Sequence, residues 1–110
     1  MADFYIGQGD RGPILEVVPI LPDGSLADIQ GADLLFYMAP YGAGLATAVG
    51  TPVTLLPDAE EPKIQHEWLE QETAEYGTAC FQIRGTLADG RPYTFPTERP
   101  YYTIEIWPKL

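Results

Sequence analysis

The sequence predicts an all-β fold, with seven or eight short strands in antiparallel sheets around one core, in a single domain spanning residues 1–110. Three observations predict it. Short segments alternate apolar and polar residues with a period of two, the mark of a half-buried strand. Turn signals separate them about every ten residues, the spacing of all-β domains. Glycine and proline number 11 each among the 110 residues, more than a helical domain uses and suited to many turns.

The strongest element is a hairpin from Gly77 to Pro96. In its first arm Ala79, Phe81 and Ile83 alternate with Cys80, Gln82 and Arg84. Its turn contains Asp89-Gly90, where glycine accepts the positive φ of a tight turn. Tyr93, Thr94 and Phe95 form the second arm. Pro92 has no amide donor, so this arm begins at a sheet edge or a bulge.

Taken in order, Phe4-Tyr5-Ile6 is the first short strand. Gly7, Gly9 and Gly12 then match the GxGxxG dinucleotide fingerprint in spacing. That motif needs a following helix to hold a pyrophosphate. Here Ile14-Leu15-Glu16-Val17-Val18-Pro19 follows, β-branched and stopped by proline. The reading is a glycine-rich loop between strands.

Ile14 to Leu21 is the second strand, and Pro22-Asp23-Gly24-Ser25 a turn. Ile29 tucks inward from the next loop. Leu34 to Met38 is the third strand, with Leu34, Phe36 and Met38 on one face and Leu35 and Tyr37 on the other. Tyr41 to Thr51 is a loop, and Pro52 to Leu56 the fourth strand. Asp58 to Pro62 makes an acidic turn.

Lys63 to Trp68 places Ile64, His66 and Trp68 on one side, with Trp68 as core anchor. Leu69 to Tyr76 suits one or two helical turns. Tyr101 to Trp107 is the last strand, with Tyr102, Ile104 and Ile106 inward and Tyr101, Thr103, Glu105 and Trp107 outward. The set has the form of an immunoglobulin-like β-sandwich. The single cysteine, Cys80, excludes the intersheet disulfide of antibody domains.

Charge restricts the partners. Sixteen acids against six bases leave −10, the reverse of the basic face that nucleic acid binding requires. An anionic membrane surface is disfavoured on the same grounds. No apolar run reaches the ~20 residues of a membrane helix, and the N-terminus has no basic region followed by an apolar stretch, so no signal peptide is expected.

No catalytic constellation emerges. His66 and Glu67 are strand neighbours and point to opposite faces. Asp58, Glu60, Glu61, Glu67, Glu70, Glu72 and Glu75 read as a solvated acidic edge, since they lack the ordered spacing of a calcium loop. Cys80 has no base beside it and reads as a packing residue. Neither cofactor nor metal is expected, and the residues point to a non-enzymatic binding or structural domain.

Two blocks of residues carry a resemblance. The first is Gln8-Gly9-Asp10-Arg11-Gly12-Pro13, Asp23-Gly24 and the run from Asp28 to Met38. The second is His66-Glu67-Trp68, Glu72-Thr73, Gly77, Asp89-Gly90-Arg91, Thr94-Phe95-Pro96 and Tyr102 to Ile106. In this order they resemble the N-terminal domain of the baseplate upper protein family of tailed bacteriophages. The resemblance covers nearly the whole chain, departing at Ala79 and in the loop from Tyr41 to Thr51.

It implies an immunoglobulin-like virion component: an adaptor in the tail, baseplate or fibre attachment, assembled in the host cytoplasm. Its partners would be other virion structural proteins, and it would form a homo-oligomer or symmetric array. Outward aromatics, Tyr37, Tyr101 and Trp107, are the candidate interface residues, because aromatics are enriched in interface cores. A capsid decoration protein is the first alternative. The second is a carbohydrate-binding module of a host-recognition device, with Tyr101 and Trp107 as its platform.

Overall fold

The computed structural model describes residues 2–42, 48–57, 61–97 and 99–110. Nine strands form among them: β1 (Phe4–Gly7), β2 (Leu15–Val17), β3 (Asp33–Pro40), β4 (Ala48–Pro52), β5 (Thr54–Leu56), β6 (Lys63–His66), β7 (Gly77–Thr86), β8 (Pro92–Phe95) and β9 (Tyr102–Trp107). The only helical element among the described residues is a single 3-10 turn, Glu70–Glu72.

The strands make two sheets. One has the order β1-β9-β7-β3-β4, with β8 also on β7; the other has the order β2-β6-β5. Strand β7 is the hub of the larger sheet. One of its edges pairs with the whole of β3, Asp33 opposite Thr86 to Pro40 opposite Ala79. Its other edge is divided, with β9 on Gly77–Phe81 and β8 on Ile83–Thr86. The hairpin expected at residues 77–96 is therefore present. Gly90 turns with φ 87°, and β8 opens on Pro92 at an edge.

The predicted alternation sets the core. Leu34, Phe36, Met38, Ala79, Phe81, Ile83, Ile104 and Ile106 are buried from the larger sheet. Leu15 and Ile64 are buried from the smaller one, together with Ile29 and Trp68. The sheets meet where the Phe36 ring stacks on His66 with centroids 3.7 Å apart. Phe36 also meets Trp68 edge-on at 6.1 Å.

Several expectations need correction. The strands number nine rather than seven or eight, and the pairing is mixed, because β1 runs parallel to β9. Pro52 to Leu56 is not one strand. Pro52 ends β4 in the larger sheet, and β5 begins at Thr54 in the smaller one. Proline cannot donate to a ladder, which suits Pro52 to the end of an edge strand.

The strand expected from Ile14 to Leu21 shortens to Leu15–Val17, with Pro19 beyond its end and Ile14 exposed. The helical turns expected from Leu69 to Tyr76 reduce to Glu70–Glu72. The loop expected from Tyr41 to Thr51 gives way at Ala48 to strand β4, paired with β3; its positions 43–47 lie outside the described residues, as do Asp58, Ala59 and Glu60 of the acidic turn.

Candidate functional site

Because one face of β3, β7 and β9 is core, the other is the outer face of the larger sheet. Register lays out its side chains. Tyr37 lies opposite Gln82 on one side and Val49 on the other. Arg84 is flanked by Leu35 and Thr94. Thr103 is opposite Cys80, and Glu105 sits between Thr78 and Tyr5.

Three contacts organise this face. The Arg84 guanidinium lies 3.8 Å from the Tyr37 ring centroid, a cation–π stack that holds both side chains flat. Thr78 Oγ1 donates to Glu105 Oε2 at 2.7 Å. Tyr5 and Trp107 pack with centroids 5.2 Å apart and planes at 45°. Nearby, Tyr41 and Tyr101 meet edge-on at 6.2 Å and 65°. The Tyr41 hydroxyl, ahead of burial, pushes the Tyr101 phenol above its ordinary value.

Two shallow grooves follow. One, of about 300 Å³, is lined by Tyr37, Val49, Cys80, Gln82, Arg84 and Tyr101 among others. The second, of about 410 Å³, is lined by Tyr5, Tyr41, Thr78, Tyr101, Thr103 and Glu105 together with Ala2. Tyr101 borders both. Burial pushes the Cys80 thiol up, so it stays protonated near neutrality and is a poor nucleophile.

Of the three residues singled out in the sequence, Tyr37 and Tyr101 line one groove, and Trp107 stands on the same face, next to Tyr5. Tyr37 and Tyr101 are half-buried, while Trp107 is 56% exposed. Sequence reasoning missed Tyr5, Tyr41, Val49 and Arg84. Tyr5 carried a usable signal, since it alternates with Phe4 and Ile6. Tyr41 did not, because it lies past the end of β3.

A second polar feature sits between the sheets. His66 Nε2 and Glu72 Oε1 are 2.7 Å apart, and both side chains are buried. The Leu69 amide also donates to Glu72 Oε1, at 2.8 Å. Glu72 is thus not part of the solvated acidic edge, because the 3-10 turn folds its carboxylate back under Leu69. Glu67 is exposed and faces away from His66, while Glu61, Glu70 and Glu75 are exposed as expected.

The same turn engages the glycine-rich loop. Gly9 N–H donates to Thr73 O at 2.7 Å, and Thr73 Oγ1 donates to Asp10 O at 3.0 Å. Arg11 Nε donates to Trp68 O at 3.1 Å, and Trp68 Nε1 to Pro13 O at 2.8 Å. The Gly7–Gly12 motif is followed by strand β2 rather than a helix, so it lacks the helix N-terminus that would receive a phosphate. Among the described residues, no three His, Cys, Asp or Glu side chains cluster as a metal site.

No family model matches the chain, and no curated protein or solved structure shows detectable similarity to it.

Proposed function

We propose that this chain is an immunoglobulin-like β-sandwich serving as a non-enzymatic structural component of a tailed-bacteriophage particle. It acts as an adaptor in the tail, baseplate or fibre attachment by docking on other virion structural proteins. The strand order supports the fold assignment. β2-β6-β5 follows the B-E-D order of an immunoglobulin sheet, and β9-β7-β3 follows G-F-C, with β4 in the extra position of variable-type domains. Strand β8 is then an insertion between F and G.

One observation carries the functional reading: the outer face of the larger sheet presents Tyr5, Tyr41, Val49 and Trp107 to solvent, each at least 40% exposed. Exposed aromatics gathered on one face mark a docking surface. A capsid decoration protein would use such a face in the same way. A glycan platform calls for coplanar rings, which Tyr5 with Trp107 at 45° and Tyr41 with Tyr101 at 65° do not supply.

The test is to locate the labelled protein by cryo-electron microscopy of purified tailed particles. Density at the tail tip or baseplate is expected. Density over the head would make it a decoration protein, and absence from particles would overturn the structural reading.

A further inference from the structure

The chain carries −10, so two copies repel each other over most approaches. The outer face of the larger sheet is the exception. Its outward strand residues carry only three formal charges, Asp33, Arg84 and Glu105, and at its margin Asp3 is already paired with Arg99 at 2.6 Å. Among the described residues, neither Arg84 nor Glu105 has an oppositely charged partner. Arg84 is exposed and held flat on Tyr37, and Glu105 is oriented by Thr78.

Their placement is self-complementary. Glu105 lies opposite Thr78 on β7, and Arg84 is six residues further along the same strand. That separates the two charges by roughly 20 Å along the strand. A two-fold axis lying between two such faces, perpendicular to β7 and level with Phe81, brings Arg84 of each copy over Thr78 of the other, one strand spacing from Glu105, so the guanidinium leaves Tyr37 to meet the carboxylate. Facing sheets pack about 10 Å apart, within reach of an arginine meeting a glutamate.

We infer that this face binds a second copy of the chain, giving an isologous face-to-face dimer closed by two Arg84–Glu105 ion pairs around the Tyr37–Gln82–Tyr101 centre. Isologous contact requires this reciprocity, in which residue i meets j and j meets i. The five strands in line run four to ten residues each, a flat area of roughly 540 Å² per copy, the size of a weak, reversible interface. The inference rests on the docking reading of the same face and names its occupant.

Sedimentation velocity on the full chain at micromolar concentration should show a dimer. Arg84→Glu should dissociate it, because each contact becomes Glu against Glu, and Glu105→Arg should do so by setting Arg against Arg. Each change should raise the dissociation constant at least about tenfold. Mixing the two variants in equal amounts should restore a dimer, since every contact is then opposite in sign. Restoration also shows that both variants are folded.

A monomeric wild type would overturn this inference, and so would a dimer that either variant leaves intact. Neither result touches the docking proposal, which is decided by where the protein lies in particles.

Discussion

Glu72 Oε1 lies 2.7 Å from Nε2 of His66, in a centre closed to solvent between the two sheets. Only six residues separate them, yet they come from different elements, strand β6 and the 3-10 turn after it. The Leu69 amide shares the same oxygen, and the Phe36 ring covers the imidazole. This joint ties β6 to the turn that also grips the glycine-rich loop.

Glu72→Ala should cost about 1–3 kcal/mol, because it leaves the buried His66 nitrogen and the Leu69 amide without their shared partner. Chemical denaturation of the variant would read this directly. A loss under about 1 kcal/mol would mean the pair holds nothing together. A double-mutant cycle with His66→Ala should show strong coupling between the two changes.

The glycines separate by geometry. Gly85→Ala should be the most damaging, because a Cβ there runs into the backbone of Asp33 on the paired strand β3. Gly90→Val should cost about 1 kcal/mol or more, from its positive φ of 87°. Gly12→Ala should be close to neutral, since a Cβ at that site meets open space. Thermal unfolding of the three variants would rank them, and a large loss at Gly12 would show that the loop needs its third glycine.

Asp3 supplies an acid-side dependence. Burial pushes its carboxyl up, but hydrogen bonds from the Thr103 backbone N–H, Arg99 and the Thr103 hydroxyl outweigh that and hold it below its ordinary value. A carboxyl lowered on folding stabilises the fold above its unfolded value, and that stability is lost as pH falls through the folded value. The advantage of wild type over Asp3→Asn should therefore be full near neutrality and shrink in acid. Melting temperatures measured down an acid series check this, and an advantage that stays constant in acid would sink the idea.

Trp107→Ala should separate stability from association. The residue is largely exposed and rests only partly on Tyr5, so the fold should lose about 1 kcal/mol or less. Docking through the outer face should weaken about tenfold, as loss of an interface tryptophan commonly does. Equal affinity before and after the change would place Trp107 outside the contact.

Much of this architecture was legible because its signals are local. The alternation through Ala79, Phe81 and Ile83, the Asp89-Gly90 turn and the edge-forming Pro92 each describe a few neighbouring residues. The outward placement of Tyr37, Tyr101 and Trp107 came from the same period of two. What could not be read depends on distant partners. Nothing in Phe4-Tyr5-Ile6 says that it lies parallel to β9.

Nor does Val53 announce that the chain changes sheets there, since Thr54, Leu55 and Leu56 would suit either sheet. Glu72 misled because its neighbours Glu70, Gln71 and Glu75 are polar. Only the fold of the turn under Leu69 distinguishes it from them. The Arg84–Tyr37 stack was hidden for a similar reason, as it joins two strands that only register brings together.

The parallel pairing of β1 with β9 sets Phe4 beside Ile104 and Ile6 beside Ile106. During synthesis β1 leaves the ribosome a full hundred residues ahead of its partner. Until then Phe4 and Ile6 have no sheet to cover them, and the larger sheet stays open along the β9 edge. Such distant pairing is slow to form and leaves apolar strand surface uncovered meanwhile. This domain is thus most prone to aggregate until β9 is released, and a chaperone that shields β1 would act at that stage.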